Sequence, residues 1–240
     1  MREICLSRHV EEKMMKQAAR RRWALAISLT LCAVAIAAGA IVSPLLYTAV
    51  VLGIFGIVAG CAANRRGPAL KAGIEGEEKL KEHLRKLLGP EFTAFWGVPI
   101  ASGDIDCLVV GPSLVWAIEA KNLSGDIAYR NGQWSRLRRR GDEIYPEALR
   151  SPSIQLATAV RHLKSHLATR GISVWVEETI VFASDRCTVS VEGLRHIAAV
   201  KLESLGAPPA VKQLSIEERS LIEEAILELG APEQRHSHCT

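Results

Sequence analysis

The chain has 240 residues and a formal charge of +4, with 48% hydrophobic and 5% aromatic residues. That charge is too small, and lies too much beside the apolar segments below, to argue for nucleic-acid binding by itself. The six cysteines (5, 32, 61, 107, 187 and 239) form no C-x-x-C pair, which excludes a disulfide framework or a zinc ribbon and suits a reduced, cytosolic setting. The tail His236-Ser237-His238-Cys239 carries ligand-type residues but reads as a frayed terminus.

Residues 1–22 form a basic segment with Lys13, Lys16, Arg20, Arg21 and Arg22. Residues 23–42 and 45–63 then contain no charged side chain, and Ser43-Pro44 separates them. Each run approaches the ~20 apolar residues that span a bilayer as a helix. A cleaved signal peptide fits poorly, because the apolar region is too long. A soluble hairpin fits poorly because soluble helices are rarely apolar all round. We expect a two-helix transmembrane hairpin over 23–63. Gly53, Gly56 and Gly60 are placed to pack against Ala33, Ala37 and Ala40, a stripe that also suits homo-oligomer formation. Arg65, Arg66 and Lys71 follow the second run, while the turn between the runs carries no Lys or Arg. The positive-inside rule puts both termini in the cytoplasm, with the basic flanks able to bind anionic membrane lipid.

Roughly 175 residues remain, enough for one compact domain. The spacing predicts a helix over 67–88, with Leu70, Ile74, Leu80, Leu84 and Leu87 at helical intervals. Glu77 lies on that apolar stripe, whereas Glu75, Glu78 and Glu82 lie off it. Gly89-Pro90 ends the helix. Strands follow over 93–100, 104–110 and 115–121, the last two joined by a turn at Gly111-Pro112-Ser113. Alternation puts Asp104, Asp106, Leu108 and Val110 on one face, and Val115, Ala117, Glu119 and Lys121 on one face of the next strand. Such charges are costly to bury unless they pair or bind a metal. An amphipathic hairpin with one wet face fits the same alternation.

Asn131-Gly132 is a two-residue hairpin signal joining 127–130 to 133–137. Arg136, Arg138, Arg139 and Arg140 then read as a solvated loop, with phosphate contact as the alternative. Ser151-Pro152 opens a helix to about residue 170, with Gln155 near its start. Strands are expected over 174–183 and 195–200. Ser215-Ile216-Glu217-Glu218 is a capping box for a last helix. The expected fold is α/β, a mixed sheet flanked by helices. The division is 1–22, hairpin 23–63, domain 67–205, and a C-terminal helix with a flexible tail over 206–240.

Glu77, Asp106 and Glu119 converging at an open sheet edge would be hard oxygen ligands for Mg²⁺ or Mn²⁺. Lys121 would position the attacking water or offset charge on phosphorus, and Gln155 would orient Lys121 or the nucleophile. That chemistry is phosphodiester hydrolysis.

Asp106 followed by Glu119-Ala120-Lys121 resembles the split metal-site motif of the PD-(D/E)xK nuclease superfamily, and within it the nuclease-related domain, NERD. Gly73-Ile74-Glu75-Gly76-Glu77 resembles that family's opening G-x-x-G-E helix motif. Gly103-Asp104-Ile105-Asp106 resembles its aspartate strand, and Ile118 to Asn122 with Gly125 its most distinctive segment. Ser151-Pro152-Ser153-Ile154-Gln155 resembles its later proline-glutamine motif, with Ser151 where Asn is usual. Trp134 and Thr179-Ile180-Val181-Phe182 also fit. The resemblance covers about residues 71–183. It implies a restriction-endonuclease-like fold with Glu77, Asp106, Glu119 and Lys121 at the site. Asp104 reads as an exposed strand-start residue.

Two functions follow from different classes. One is a membrane-anchored, cytoplasm-facing, Mg²⁺-dependent nuclease acting on DNA or RNA. The other is a membrane-tethered nucleic-acid-binding or scaffold module that uses the same fold without turnover. The sparse aromatics and weak charge favour the second modestly. An active site should bind the metal through its three acids.

Overall fold

The computed structural model describes residues 1–6, 23, 26, 30, 53, 56, 66–101, 103–140, 143–207 and 210–230. The chain falls into two compact units, Met1–Arg8 with Glu75–Thr240, and His9–Ile74. In the second unit Trp23, Ala26, Thr30, Gly53 and Gly56 are helical, and Thr30 Oγ1 donates to Ala26 O at 2.8 Å. The remainder of the expected transmembrane hairpin lies outside the described residues. Among the described residues no helix is long and apolar enough to cross a membrane.

The elements in chain order are β1 Arg2–Cys5, α1 Arg66–Leu87, β2 Thr93–Ile100, β3 Gly103–Val110, β4 Val115–Lys121, β5 Gly125–Arg130, β6 Gln133–Arg140 and β7 Glu143–Ala148. Then come α2 Pro152–Ala168, β8 Val176–Phe182, β9 Cys187–Val191, β10 Ala198–Lys201, a 3₁₀ turn Leu202–Ser204, and α3 Ile216–Gly230. The single mixed sheet expected from sequence is two sheets. The larger has the order β1-β2-β3-β4-β8-β10, and the smaller β7-β6-β5-β9. β4 is central: it pairs antiparallel with β3 and parallel with β8. The strands β1, β7 and β9 are not expected from sequence, because four to six residues give too little periodicity to separate them from loops.

The larger sheet is covered on both faces. Leu80, Leu84 and Leu88 from α1 and its end join Trp96, Cys107, Trp116, Ile118 and Val181 on one face. Leu156, Val160 and Leu163 of α2 and Ile222 and Ile226 of α3 cover Phe95, Leu108, Ala117 and Ile180 on the other. A strand buried on both faces reads as a continuous apolar run, as β4 does up to Ile118.

Simple alternation fails in β2 and β3. Phe95 and Val98 reach the same core although three residues apart, and so do Ile105 and Leu108. The β2–β3 ladder skips the position between Trp96↔Cys107 and Val98↔Ile105, where Gly97 has φ +61°. Both strands change face there. Asp104, Asp106, Leu108 and Val110 therefore do not share one face, and Asp106 sits at the switch.

The Asn131-Gly132 turn is formed with φ +51° and +79°, the two positive values that a type I′ hairpin needs. Its second strand continues through Arg140 rather than ending near residue 137, so the arginine cluster is strand and not loop. Trp134 ties the smaller sheet to the rest. Its indole N–H donates to Ser153 Oγ at 3.0 Å, and its ring lies 5.7 Å from Phe182 and 5.1 Å from Tyr129. The capping box at α3 is complete: Glu218 N donates to Ser215 Oγ at 3.0 Å and Ser215 N to Glu218 Oε2 at 2.7 Å.

Trp134→Ala should cost about 3–5 kcal/mol, the range for losing a buried indole. Ser153→Ala should cost about 1 kcal/mol by orphaning the indole N–H. Denaturant unfolding of the full chain measures both, and equal costs would mean that the ring contributes little beyond its hydrogen bond.

Candidate active site

β4 carries apolar side chains through Ile118 and then places a carboxylate in the same interior: Glu119 is 1% exposed. Its Oε1 accepts from Gln155 Nε2 at 2.5 Å and from the Lys121 ammonium. Lys121 Nζ also reaches Gln155 Oε1 at 3.4 Å, closing a three-residue network. Gln155 is delivered by the first turn of α2. That turn is fixed by Ser151, whose Oγ caps it by accepting from Ile154 N, and by Pro152 at the first helical position. Glu119 Oε2 is buried with no hydrogen-bond partner. An orphaned carboxylate oxygen costs several kcal/mol in an apolar interior unless something binds it.

Asp106 stands on β3 opposite Glu119 in the extrapolated register. The β3–β4 ladder ends one position earlier, at Cys107↔Ile118. There Asp106 Oδ2 replaces a backbone carbonyl as acceptor, taking the Ala120 N–H at 2.8 Å. A side chain standing where the backbone would pair lets the two strands part at the site.

Glu77 arrives from α1, half-buried. The preceding residue explains how the helix comes so near. A Cβ built on Gly76 would lie 2.9 Å from Asn122 Cβ and 3.6 Å from Ala183 Cβ. Only glycine lets α1 rest against the ends of β4 and β8 at this point.

The three acids feel one another. Burial raises Glu77 to about 7, and the charge of Asp106 adds to the shift. Burial likewise raises Glu119 to about 7, with Asp106 adding and Lys121 opposing. Asp106 is raised by burial against the pull of Lys121 and the Ala120 amide. Asp104 is half-buried rather than exposed, and its charge contributes to the shifts at Glu77 and Asp106. Its place two residues before Asp106 was the signal available in the sequence. Carboxylates that raise one another's pKa provide the electrostatic precondition for a divalent cation.

The residue set fits such an ion: hard oxygens, one of them buried and unpartnered. Among the described residues, however, no three His, Cys, Asp or Glu side chains form a ready-made metal cluster. Glu119 Oε2 and Asp106 are the strongest donors, and Glu77 is their neighbour from the helix.

The family model of the nuclease-related domain, NERD, matches residues 72–183. The match begins in α1 before Gly76, includes Glu77, Asp106, Glu119, Lys121 and Gln155, and ends at Ala183. That part of the chain is therefore similar to the nuclease-related domain. Comparison with curated proteins and with solved structures gives no match.

Gly76→Ala tests the helix contact. In an exposed helix interior the change would stabilise by about 0.5–1 kcal/mol. Here the overlap with Asn122 should dominate and destabilise by about 1–3 kcal/mol. A stabilised Gly76→Ala chain in denaturant unfolding would rule out the close packing.

The raised carboxyls give a second prediction. Glu77 and Glu119 titrate near 7 in the fold, against 4.5 for the ordinary group. Between those values the folded state holds more protons, so metal-free stability falls as pH rises through the window. Glu119→Gln fixes the neutral form. It should therefore be more stable than wild type at pH 8, on the order of 1–3 kcal/mol, with the gain shrinking by pH 5. Thermal unfolding in EDTA at both pH values checks the sign.

Proposed function

We propose that the chain is a membrane-anchored, cytoplasm-facing nuclease that hydrolyses phosphodiester bonds in DNA or RNA with Mg²⁺ or Mn²⁺. The observation that carries this reading is the buried Glu119 carboxylate, one oxygen held by Lys121 and Gln155 and the other without a hydrogen-bond partner, within reach of the Asp106 charge. When bound, a divalent ion polarises a phosphate and lowers the pKa of the attacking water. Glu119, Asp106 and Glu77 would hold it. Water adds to phosphorus and the ester oxygen leaves as an alcohol. Lys121 offsets the negative charge that develops on the phosphoryl oxygens. Gln155 immobilises Glu119 Oε1, so that Oε2 keeps its direction.

The membrane part of the reading rests on the two uncharged runs, 23–42 and 45–63, and their basic flanks. Connectivity adds to it. Arg2–Cys5 and Glu75 onward belong to one compact unit. An intervening segment that crosses a bilayer must cross it an even number of times, as a hairpin does. Contacts with anionic lipid and self-association through the small-residue stripe belong to the same proposal.

One observation favours the second reading, a nucleic-acid-binding or scaffold module without turnover. The Glu119–Lys121–Gln155 network is already closed on one side by an internal ion pair and can stand without a metal.

The deciding experiment uses the full-length chain in detergent with single- and double-stranded DNA and RNA, in Mg²⁺, Mn²⁺ or EDTA. Cleavage should require metal, sediment with membranes before extraction, and fall at least about 100-fold in Glu119→Ala and Lys121→Ala. Mn²⁺ binding by calorimetry without cleavage of any substrate would favour the binding module. Neither binding nor cleavage would overturn the metal site.

A further inference from the structure

The arginine-rich run, expected as a solvated loop, lies at the end of β6. β6 pairs with β5 only over Gln133–Leu137, from Arg130↔Gln133 to Asp126↔Leu137. Beyond that point Arg138, Arg139 and Arg140 pair with β7 alone, at Tyr145, Ile144 and Glu143. Arg138–Arg140 of β6 and Glu143–Tyr145 of β7 thus form a two-stranded ribbon standing past the start of β5. The start of β5 is four residues after Lys121.

Residues two apart on a strand share a face, and directly paired residues share it too. Trp134, Arg136, Arg138, Tyr145 and Glu147 therefore occupy one face. Trp134 shows which way that face looks, because its indole bonds Ser153 at the start of α2, two residues before Gln155. Arg136 fastens the ribbon to the segment that follows the catalytic strand. It is 8% exposed, its Nε donates to Ser124 O at 2.5 Å, and a terminal nitrogen donates to Ser124 Oγ at 3.1 Å. Arg136 is thus structural and not free for phosphate.

Arg138 and Tyr145 come next, side by side on that face and one pleat further out. The Arg138 side chain is 58% exposed and Tyr145 45% exposed. Among the described residues Arg138 pairs with Glu147, 3.9 Å away, which also stands 3.5 Å from Arg136. An exposed pair at that distance contributes little and leaves the guanidinium available. A tyrosine face beside an arginine is the combination that holds a single strand, by base stacking and phosphate contact. A duplex offers no unstacked base to the ring.

We propose that the β6–β7 ribbon guides a single-stranded nucleic acid into the site, Tyr145 stacking on a base and Arg138 contacting the adjoining phosphate. This rests on the nuclease-like reading of the site and names the form of its substrate. The sequence signal was the arginine cluster. What it lacked was Tyr145, which lies on the next strand and becomes a neighbour only through the β6–β7 register.

The test is fluorescence anisotropy of the full-length chain with labelled single-stranded DNA, single-stranded RNA and duplex, in Ca²⁺ and across a salt series. Mn²⁺ calorimetry runs on the same preparations. Tyr145→Ala should weaken single-strand binding roughly tenfold or more, and Tyr145→Phe should retain it. Arg138→Ala should also lower the slope of log Kd against log salt by about 0.7, one phosphate contact. Mn²⁺ binding should be unchanged in all three. Single-strand binding equal to wild type in Arg138→Ala and Tyr145→Ala would overturn the guide. So would tighter binding to duplex than to single strand, or loss of Mn²⁺ binding in the ribbon variants. A wild-type chain that binds Mn²⁺ but no nucleic acid would overturn the substrate reading itself.

Discussion

A carboxylate at the end of a strand buried on both faces is expensive to hold, and much of the domain is arranged around that cost. Glu119 follows Ile118 directly, and the sheet offers it no water. Desolvation alone would force it neutral at physiological pH, where it could neither pair with Lys121 strongly nor receive a cation. The chain meets this with two groups from different places, an ammonium two residues along the same strand and an amide from α2, while Oε2 is left without a hydrogen-bond partner. Both groups offset part of the desolvation. Oε2 stays uncompensated, so a cation bound there would also stabilise the fold.

That arrangement demands precise placement of two helices on opposite faces of the sheet. α1 must come close enough to bring Glu77 to the strand ends, and the missing side chain at Gly76 sets the distance against Asn122 and Ala183. α2 must begin at one defined point so that its first turn presents Gln155. Ser151 caps it, Pro152 presets its first dihedral, and Ser153 locks its start to Trp134. Trp134 in turn packs on Phe182, the last residue of the strand beside β4. Residues that look unrelated in the sequence thus form one mechanical path, from the smaller sheet through α2 to Glu119. Loss of any link would displace the Gln155 amide that holds Glu119.

How much of this the sequence disclosed depended on whether a residue's role was local. The capping box at Ser215, the Asn131-Gly132 turn and the start of α2 were legible, because each is a short-range preference read from adjacent residues. Glu119, Lys121 and Gln155 were legible as candidates because polar groups on otherwise apolar strands and at a helix start are conspicuous. The face of Asp106 was not. Gly97 on the neighbouring strand interrupts the ladder, and period-two counting along β3 alone carries no trace of it. Arg136 and Arg138 differ for the same reason. They are two residues apart in one basic run, yet one is buried on Ser124 and the other is exposed, and only the point at which β5 begins separates them.

The least legible element was the first. Arg2–Cys5 forms the outer strand of the larger sheet, parallel to β2, with Glu3 paired to Arg85 of α1 and Arg2 to Glu223 of α3. Parallel neighbours need a long crossover. Here that crossover contains the two apolar runs and α1. The domain is thus assembled from chain on both sides of the apolar segment, and its sheet cannot close until both are made. A fragment beginning near residue 65 would carry every site residue but leave β2 as an uncovered edge, a row of unpaired backbone groups prone to association.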